Sequence, residues 1–127
     1  MNIPEELLYS KSHEWVQQLE DGKVRVGISD YAQSTMGDLV FVNLPAVGDS
    51  FTAGDVFADV ESVKAVSDIY APVTGTVSAV NEALLTAPEE INSDPYGAWM
   101  VEFEDATGLE DLLSAQAYEA VVEAEEH

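Results

Sequence analysis

The chain is 127 residues long, enough for one domain and too short for two ordinary ones. Hydrophobic residues make up 46% and charged residues 23%, a composition that can build a packed core rather than a disordered chain. Against 25 acidic residues stand four basic ones (Lys11, Lys23, Arg25 and Lys64), a net charge of −21 that argues against nucleic acid or an anionic membrane surface as a partner.

The start, Met1-Asn2-Ile3-Pro4-Glu5-Glu6, has no positive region and no apolar stretch of a secretory signal, and its acids do not suit a transit peptide. A cytoplasmic location is therefore expected. Glu14 to Val26 alternates loosely and predicts a hairpin turning at Glu20-Asp21-Gly22. A short helix is expected over Ser29–Met36, with Ser29 or Asp30 as N-cap and Gly37 as its stop. Leu39-Val40-Phe41-Val42 has strand length, and Asn43 and Pro45 close it. From Gly48 to Val80 the sequence predicts strand after strand. Leu109, Leu112, Leu113, Ala117, Ala120 and Val121 recur at helical spacing, which predicts a C-terminal amphipathic helix over about 109–124. Thr107 or Gly108 would start it, and Glu123 to His127 would fray. The whole, 1–127, is read as one β-rich domain with short helical additions.

A weak repeat lies in the middle. Gly54-Asp55-Val56-Phe57-Ala58 and Gly75-Thr76-Val77-Ser78-Ala79 share G-x-V-x-A. Each glycine permits a turn or a close backbone approach, and the Val and Ala that follow fall on one strand face. Two such units would bury their apolar faces against each other as a flattened sandwich or barrel. Lys64 lies near the middle of the link between them. Val56, Ala58 and Val60 would share one face on the way in, and Ile69 and Ala71 lead out to Pro72, which cannot donate to a central ladder. The chain must reverse around Val63 and Lys64, so Lys64 belongs at or beside a hairpin tip. The plain alternative is a solvated lysine that discourages edge-to-edge pairing.

Few enzymes could be built from the remaining residues. The absence of cysteine excludes disulfides, thiolate metal sites and a cysteine nucleophile. There are two histidines, His13 and the final residue His127, which leaves little for a catalytic triad. No P-loop, G-x-S-x-G or EF-hand spacing occurs, and no acid/base pair stands out among the carboxylates. No apolar run approaches the ~20 residues needed to span a bilayer.

Glu61-Ser62-Val63-Lys64-Ala65, followed by Ser67-Asp68-Ile69-Tyr70-Ala71-Pro72-Val73-Thr74-Gly75-Thr76-Val77, closely resembles the lipoylation segment of the glycine cleavage system H protein family. Tyr9-Ser10-Lys11-Ser12-His13-Glu14-Trp15-Val16 resembles that family's opening strand, and Gly27-Ile28-Ser29-Asp30-Tyr31-Ala32-Gln33 its short-helix segment. Leu44-Pro45-Ala46-Val47-Gly48-Asp49 and Ile91-Asn92-Ser93-Asp94-Pro95-Tyr96-Gly97-Ala98-Trp99-Met100 follow in the same order. The likeness runs from about residue 9 to 121 in one register.

The resemblance implies a mainly β barrel-sandwich hybrid of the lipoyl/biotinyl type with short helices and a C-terminal helix. It implies lipoate on the ε-amino group of Lys64, shuttling an aminomethyl group during glycine breakdown by a carrier that has no catalysis of its own. The partners it implies are a pyridoxal-phosphate glycine decarboxylase, a tetrahydrofolate-dependent aminomethyltransferase, dihydrolipoyl dehydrogenase, and a lipoyl or octanoyl transferase or ligase. The chemistry is coherent. Lysine plus the lipoyl chain reaches on the order of 14 Å, and the cofactor brings the sulfurs that a cysteine-free chain lacks.

The family likeness also implies a cleft near Glu14 and Asp68, where carboxylates can accept charge-assisted hydrogen bonds from the amine on a loaded arm. With 25 acids in the chain, a solvated surface role competes for each. Some family members carry histidine where Tyr31 stands, so a ring-nitrogen contact there is lost. His13 is expected to help packing at the strand start, with no metal role, and Trp15 and Trp99 to lie in the core. Biotin as cargo is the weaker alternative, because biotinyl domains usually flank their lysine with methionines and here Val63 and Ala65 do so. A lipoyl relay to other complexes, or an unmodified interaction module, would use the same scaffold. The acidity fits either a salt-rich cytoplasm or an ordinary acidic solvated surface.

Overall fold

The computed structural model describes residues 1–126. In chain order they form strands β1 (Leu8–Tyr9), β2 (Glu14–Gln18) and β3 (Val24–Ile28), helix α1 (Asp30–Met36), and strands β4 (Leu39–Asn43), β5 (Ser50–Phe51), β6 (Val56–Ser62), β7 (Val66–Tyr70) and β8 (Thr74–Val80). Short helices α2 (Ala83–Thr86) and α3 (Glu90–Ser93), strand β9 (Val101–Thr107), a 3-10 turn (Leu109–Asp111) and helix α4 (Ala115–Glu126) complete them. All pairings are antiparallel. One sheet has the order β1-β2-β3-β9-β8-β5 and the other β4-β6-β7.

The sheets close on a shared core. Phe57 of β6 meets Phe103 of β9 edge-on at 5.8 Å and Phe51 of β5 at 6.3 Å, a tilted geometry that aromatic quadrupoles favour. Ala32 of α1, Leu84 of α2 and Ile91 of α3 are buried in the same core. A second cluster joins Leu7, Tyr9 and Trp15 to Ala115, Tyr118 and Val122 of α4, with the Tyr9 and Tyr118 rings stacked at 4.6 Å. The fold is the mainly β barrel-sandwich arrangement that the sequence predicts, with its short helices and C-terminal helix. No helix among the described residues is long and apolar enough to cross a membrane.

Local chemistry explains the early elements. Asp21 and Gly22 both have positive φ (59° and 74°), which a two-residue turn needs if its twist is to match antiparallel strands. The amide of Lys23 donates to Glu20 O at 3.2 Å and closes the turn between β2 and β3. Ser29 is the N-cap of α1, its side chain accepting from the Ala32 amide, and Gly37 ends the helix.

Three expectations need correction. A bulge between Val56 and Ala58 turns Val56 outward and Phe57 inward, so Phe57, Ala58 and Val60 are buried instead of Val56, Ala58 and Val60. The repeat glycines fill the two roles expected of them, one a turn and the other a close backbone approach. Gly54 has φ 96° in a turn, whereas Gly75 lies inside β8, where an added Cβ would stand 3.0 Å from Glu104 O. The C-terminal helix begins at Ala115 rather than near Leu109. Leu113 exchanges two backbone hydrogen bonds with Tyr9 (2.9 and 2.7 Å), which holds it extended, and Ser114 Oγ then accepts from the Ala117 amide to start the helix. Leu109 and Leu112 pack on the main core from outside the helix. The helix runs on through Glu123 to Glu126, where fraying was expected; the same expectation for His127 lies outside the described residues.

Candidate functional site

Lys64 stands at the tip of the hairpin formed by β6 and β7. The Ser62 amide donates to Ala65 O at 2.8 Å, so Val63 and Lys64 are the reversing residues. A two-residue hairpin turn ordinarily asks for positive φ, which a β-branched residue resists, and neither Val63 nor Lys64 has it. The Ser62 hydroxyl resolves the conflict. Its oxygen accepts from the Lys64 amide at 3.3 Å and the Ala65 amide at 3.2 Å, and the hydroxyl lies 3.2 Å from Ala65 O, to which it donates.

The tip projects into solvent. Val63 is 73% exposed, and Lys64 and Ala65 are exposed beside it. On the other side the Val63 amide donates to Asp38 O at 3.2 Å, between α1 and β4. A Cβ built on Gly37 would lie 3.5 Å from Lys64 Cε and 4.0 Å from its Nζ, so the lysine stem passes over the bare end of α1. Among the described residues the ion pairs are His13–Glu125 and Arg25–Glu102, and Lys64 takes part in neither. Its amine is accessible to an acylating group.

Glu14 and Asp68 are placed very differently. Glu14 opens β2 and is only 1% exposed. Its Oε1 accepts from the hydroxyls of Ser10 (2.5 Å) and Ser12 (2.6 Å), and its Oε2 from the Tyr70 amide of β7 at 3.4 Å. Burial raises its pKa above the ordinary glutamate range, while those serine and backbone hydrogen bonds pull it back down. Asp68 is exposed on β7, directly opposite Asp59 of β6. The structure thus brings Glu14 to the backbone of Tyr70, two residues beyond Asp68, with one carboxylate enclosed and the other in solvent.

Several neighbours have roles that the sequence did not disclose. His13 has φ 77°, accepts or donates through Nδ1 to the Tyr118 hydroxyl at 2.8 Å, and meets Glu125 through Nε2 at 2.8 Å. Tyr118 also bonds the N-cap hydroxyl of Ser29 at 2.6 Å, so α4 is tied to the start of α1. Tyr31 stands 4.9 Å from the His13 ring, tilted by 46°. Trp15 is buried as expected and its indole N–H donates to Pro95 O at 3.0 Å. Trp99 departs from expectation: it is half-buried at the edge of the core, with the Arg25 guanidinium 4.7 Å above its ring. Asn92, seen in the sequence as part of a longer motif, binds the segment between α1 and β4. Its paired donor and acceptor contacts lie more than 50 residues away in sequence, which is why spacing could not reveal them.

Comparison with known proteins places this geometry. A family model described as "Glycine cleavage H-protein" matches residues 7–125. A glycine cleavage system H protein of Lachnoclostridium phytofermentans is 54% identical over 125 residues, covering 98% of each chain. One of Shewanella loihica is 56% identical over 127 residues, again covering 98% of each. A crystal structure of a glycine cleavage system H protein from Mycobacterium marinum superposes with a TM-score of 0.87 at 42% identity, covering 93% of this chain and 97% of that one.

Proposed function

Because this chain belongs to the glycine cleavage H-protein family, we propose that Lys64 is its lipoyl attachment residue and that the chain is the mobile-arm carrier of glycine cleavage. The observation that carries the reading is the accessibility of Lys64 at a two-residue tip that is hydrogen-bonded by Ser62 from within and by Asp38 from the side. An arm needs a firm base and a free end, and this hairpin supplies both. Lipoate, when bound, supplies the dithiolane chemistry that a chain without cysteine lacks.

The chain's own residues position and shelter that arm. Asp68 offers an exposed carboxylate to a cationic amine. Glu14 lies enclosed behind Asp68 with Oε2 on the Tyr70 amide, so it would accept from the arm's amine only once that oxygen is uncovered. Partners follow from the same reading: a pyridoxal-phosphate glycine decarboxylase, a tetrahydrofolate-dependent aminomethyltransferase, dihydrolipoyl dehydrogenase, and a lipoyl or octanoyl transferase or ligase, all in a cytoplasmic setting. Each would meet the same exposed tip in turn.

The test is intact mass after incubation with lipoate, ATP and a lipoate ligase. One lipoyl increment that maps to Lys64 and is absent from Lys64→Ala supports the assignment; an increment elsewhere, or none, overturns it. Lipoylated chain mixed with the partner enzymes should then support glycine decarboxylation. Modification without that activity would favour a lipoyl relay to other complexes.

A further inference from the structure

The side-chain amide of Asn92 has every polar atom engaged by α1 or by the segment that follows it. Oδ1 accepts from the Leu39 amide at 2.9 Å, and Nδ2 donates to Gly37 O at 2.9 Å and to Gln33 Oε1 at 3.0 Å. The orientation is fixed chemically, because the Leu39 N–H can only donate and the Gly37 carbonyl can only accept. Asn92 itself comes from α3, whose adjacent Ile91 is fully buried in the core. It is therefore a post on a rigid base.

What Asn92 grips is the surface on which the hairpin tip rests. Asp38 lies between the two gripped residues and its carbonyl accepts the Val63 amide at 3.2 Å. Gly37 lies under the Lys64 stem. Its backbone, φ 84° and ψ −165°, is in a region almost confined to glycine, which reaches it without strain and so does not by itself hold the segment in place. Asn92 pins the segment through the Gly37 carbonyl and the Leu39 amide on either side of Asp38.

We propose that Asn92 is a positioning residue for the modification of Lys64, acting through Gly37 and Asp38 on the Val63 amide and the lysine stem. The inference rests on Lys64 being the attachment residue. Without Asn92 the Gly37–Leu39 segment relaxes, the support under Val63 moves, and fewer encounters with the acylating enzyme are productive, since small misplacements lower rate steeply.

The test uses full-length unmodified chain, a lipoate ligase, ATP and lipoate, at a temperature where wild type and Asn92→Ala are both fully folded by circular dichroism. The expected result is a kcat/KM for lipoylation lower by roughly fivefold or more, the scale of one or two hydrogen bonds, that cooling does not restore. Faster exchange of the Val63 amide should accompany it, with exchange across β3 and β9 unchanged; a purely global effect would move all these amides together. Wild-type kcat/KM in the folded variant overturns the inference. If Asn92→Ala does not fold, Asn92→Asp replaces it. That variant keeps the acceptor for Leu39 but sets an oxygen against the Gly37 carbonyl, and the same two outcomes decide. If wild-type Lys64 stays bare, the attachment reading fails, and this inference with it; if only the variants are slow, both stand.

Discussion

The hydroxyl of Ser62 takes the position of a backbone carbonyl for the amide of Ala65, 3.2 Å away, across the tip that presents Lys64. The tip is thereby ordered without the glycine or asparagine that tight hairpins usually require. In Ser62→Ala the amides of Lys64 and Ala65 lose their side-chain acceptor but gain access to water, so global stability should fall by only about 0.5–1.5 kcal/mol. Lipoylation of Lys64 should slow by more than that modest loss explains at the assay temperature. Parallel rates for the variant and the wild type would show that the tip needs no internal bracing.

Glu14 is a buried carboxyl that holds its proton more tightly in the folded chain than in the unfolded one, because burial disfavours its charged form. Stability from this group is fully present below the unfolded glutamate pKa, about 4.3, and is lost as pH rises through the elevated folded value. Glu14→Gln removes that titration, and its amide can still serve both serines and the Tyr70 amide by turning over. The urea midpoint of wild type, taken relative to Glu14→Gln, should therefore decline between pH 4 and pH 7. A difference that stays level or grows with pH would contradict this.

Tyr118 joins α4 to the start of α1 through hydrogen bonds to Ser29 and His13 while stacking on Tyr9. Tyr118→Phe keeps the ring and its stacking but deletes the hydroxyl, leaving Ser29 and His13 each without one partner. A destabilisation of about 1–3 kcal/mol is expected, the cost of leaving buried polar groups unpaired. The signature should be local, with backbone exchange in α4 and at Ser29 rising before exchange in β6 and β7. Unchanged unfolding would mean that water replaces the hydroxyl without loss.

A net charge of −21 on 127 residues repels itself strongly in dilute buffer. Two like charges, Asp59 and Asp68, even face each other across β6 and β7. Screening contracts from about 10 Å at 0.1 M salt to about 3 Å at 1 M. The melting temperature should accordingly rise steeply with KCl over that range, and far more than in a non-ionic osmolyte such as sucrose. Equal rises in both would assign the effect to solvent exclusion and remove the case for adaptation to salt.

Much of this was legible along the chain because it depends on neighbours in sequence. The Asp21-Gly22 turn needs two positive φ values, and the residues that supply them are adjacent. The Ser29 cap reaches an amide three residues on. Reversal near Lys64 follows from apolar strands on either side of it, and the long motifs around it mark the family without any coordinates. By contrast, the helical spacing begins earlier in the chain than the helix itself, which starts at Ala115. Leu109 and Leu112 have helical spacing, yet Leu113 is committed to Tyr9, more than 100 residues earlier. Val56 likewise fits an alternating strand until a bulge against β7 changes its side.

The order of amino acids alone was enough to determine a β-rich fold with its lysine at a turn, since turns, caps and strand alternation are set by interactions between residues a few positions apart. Tertiary structure decided the rest: that Glu14 is enclosed while Asp68 is free, that Ser29 is held by Tyr118, and that Asn92 supports the ground beneath Val63 and Lys64. Those outcomes depend on which distant surfaces exclude water together. Burial and long-range hydrogen bonding are properties of the packed chain, and the spacing of residues along it does not encode them locally.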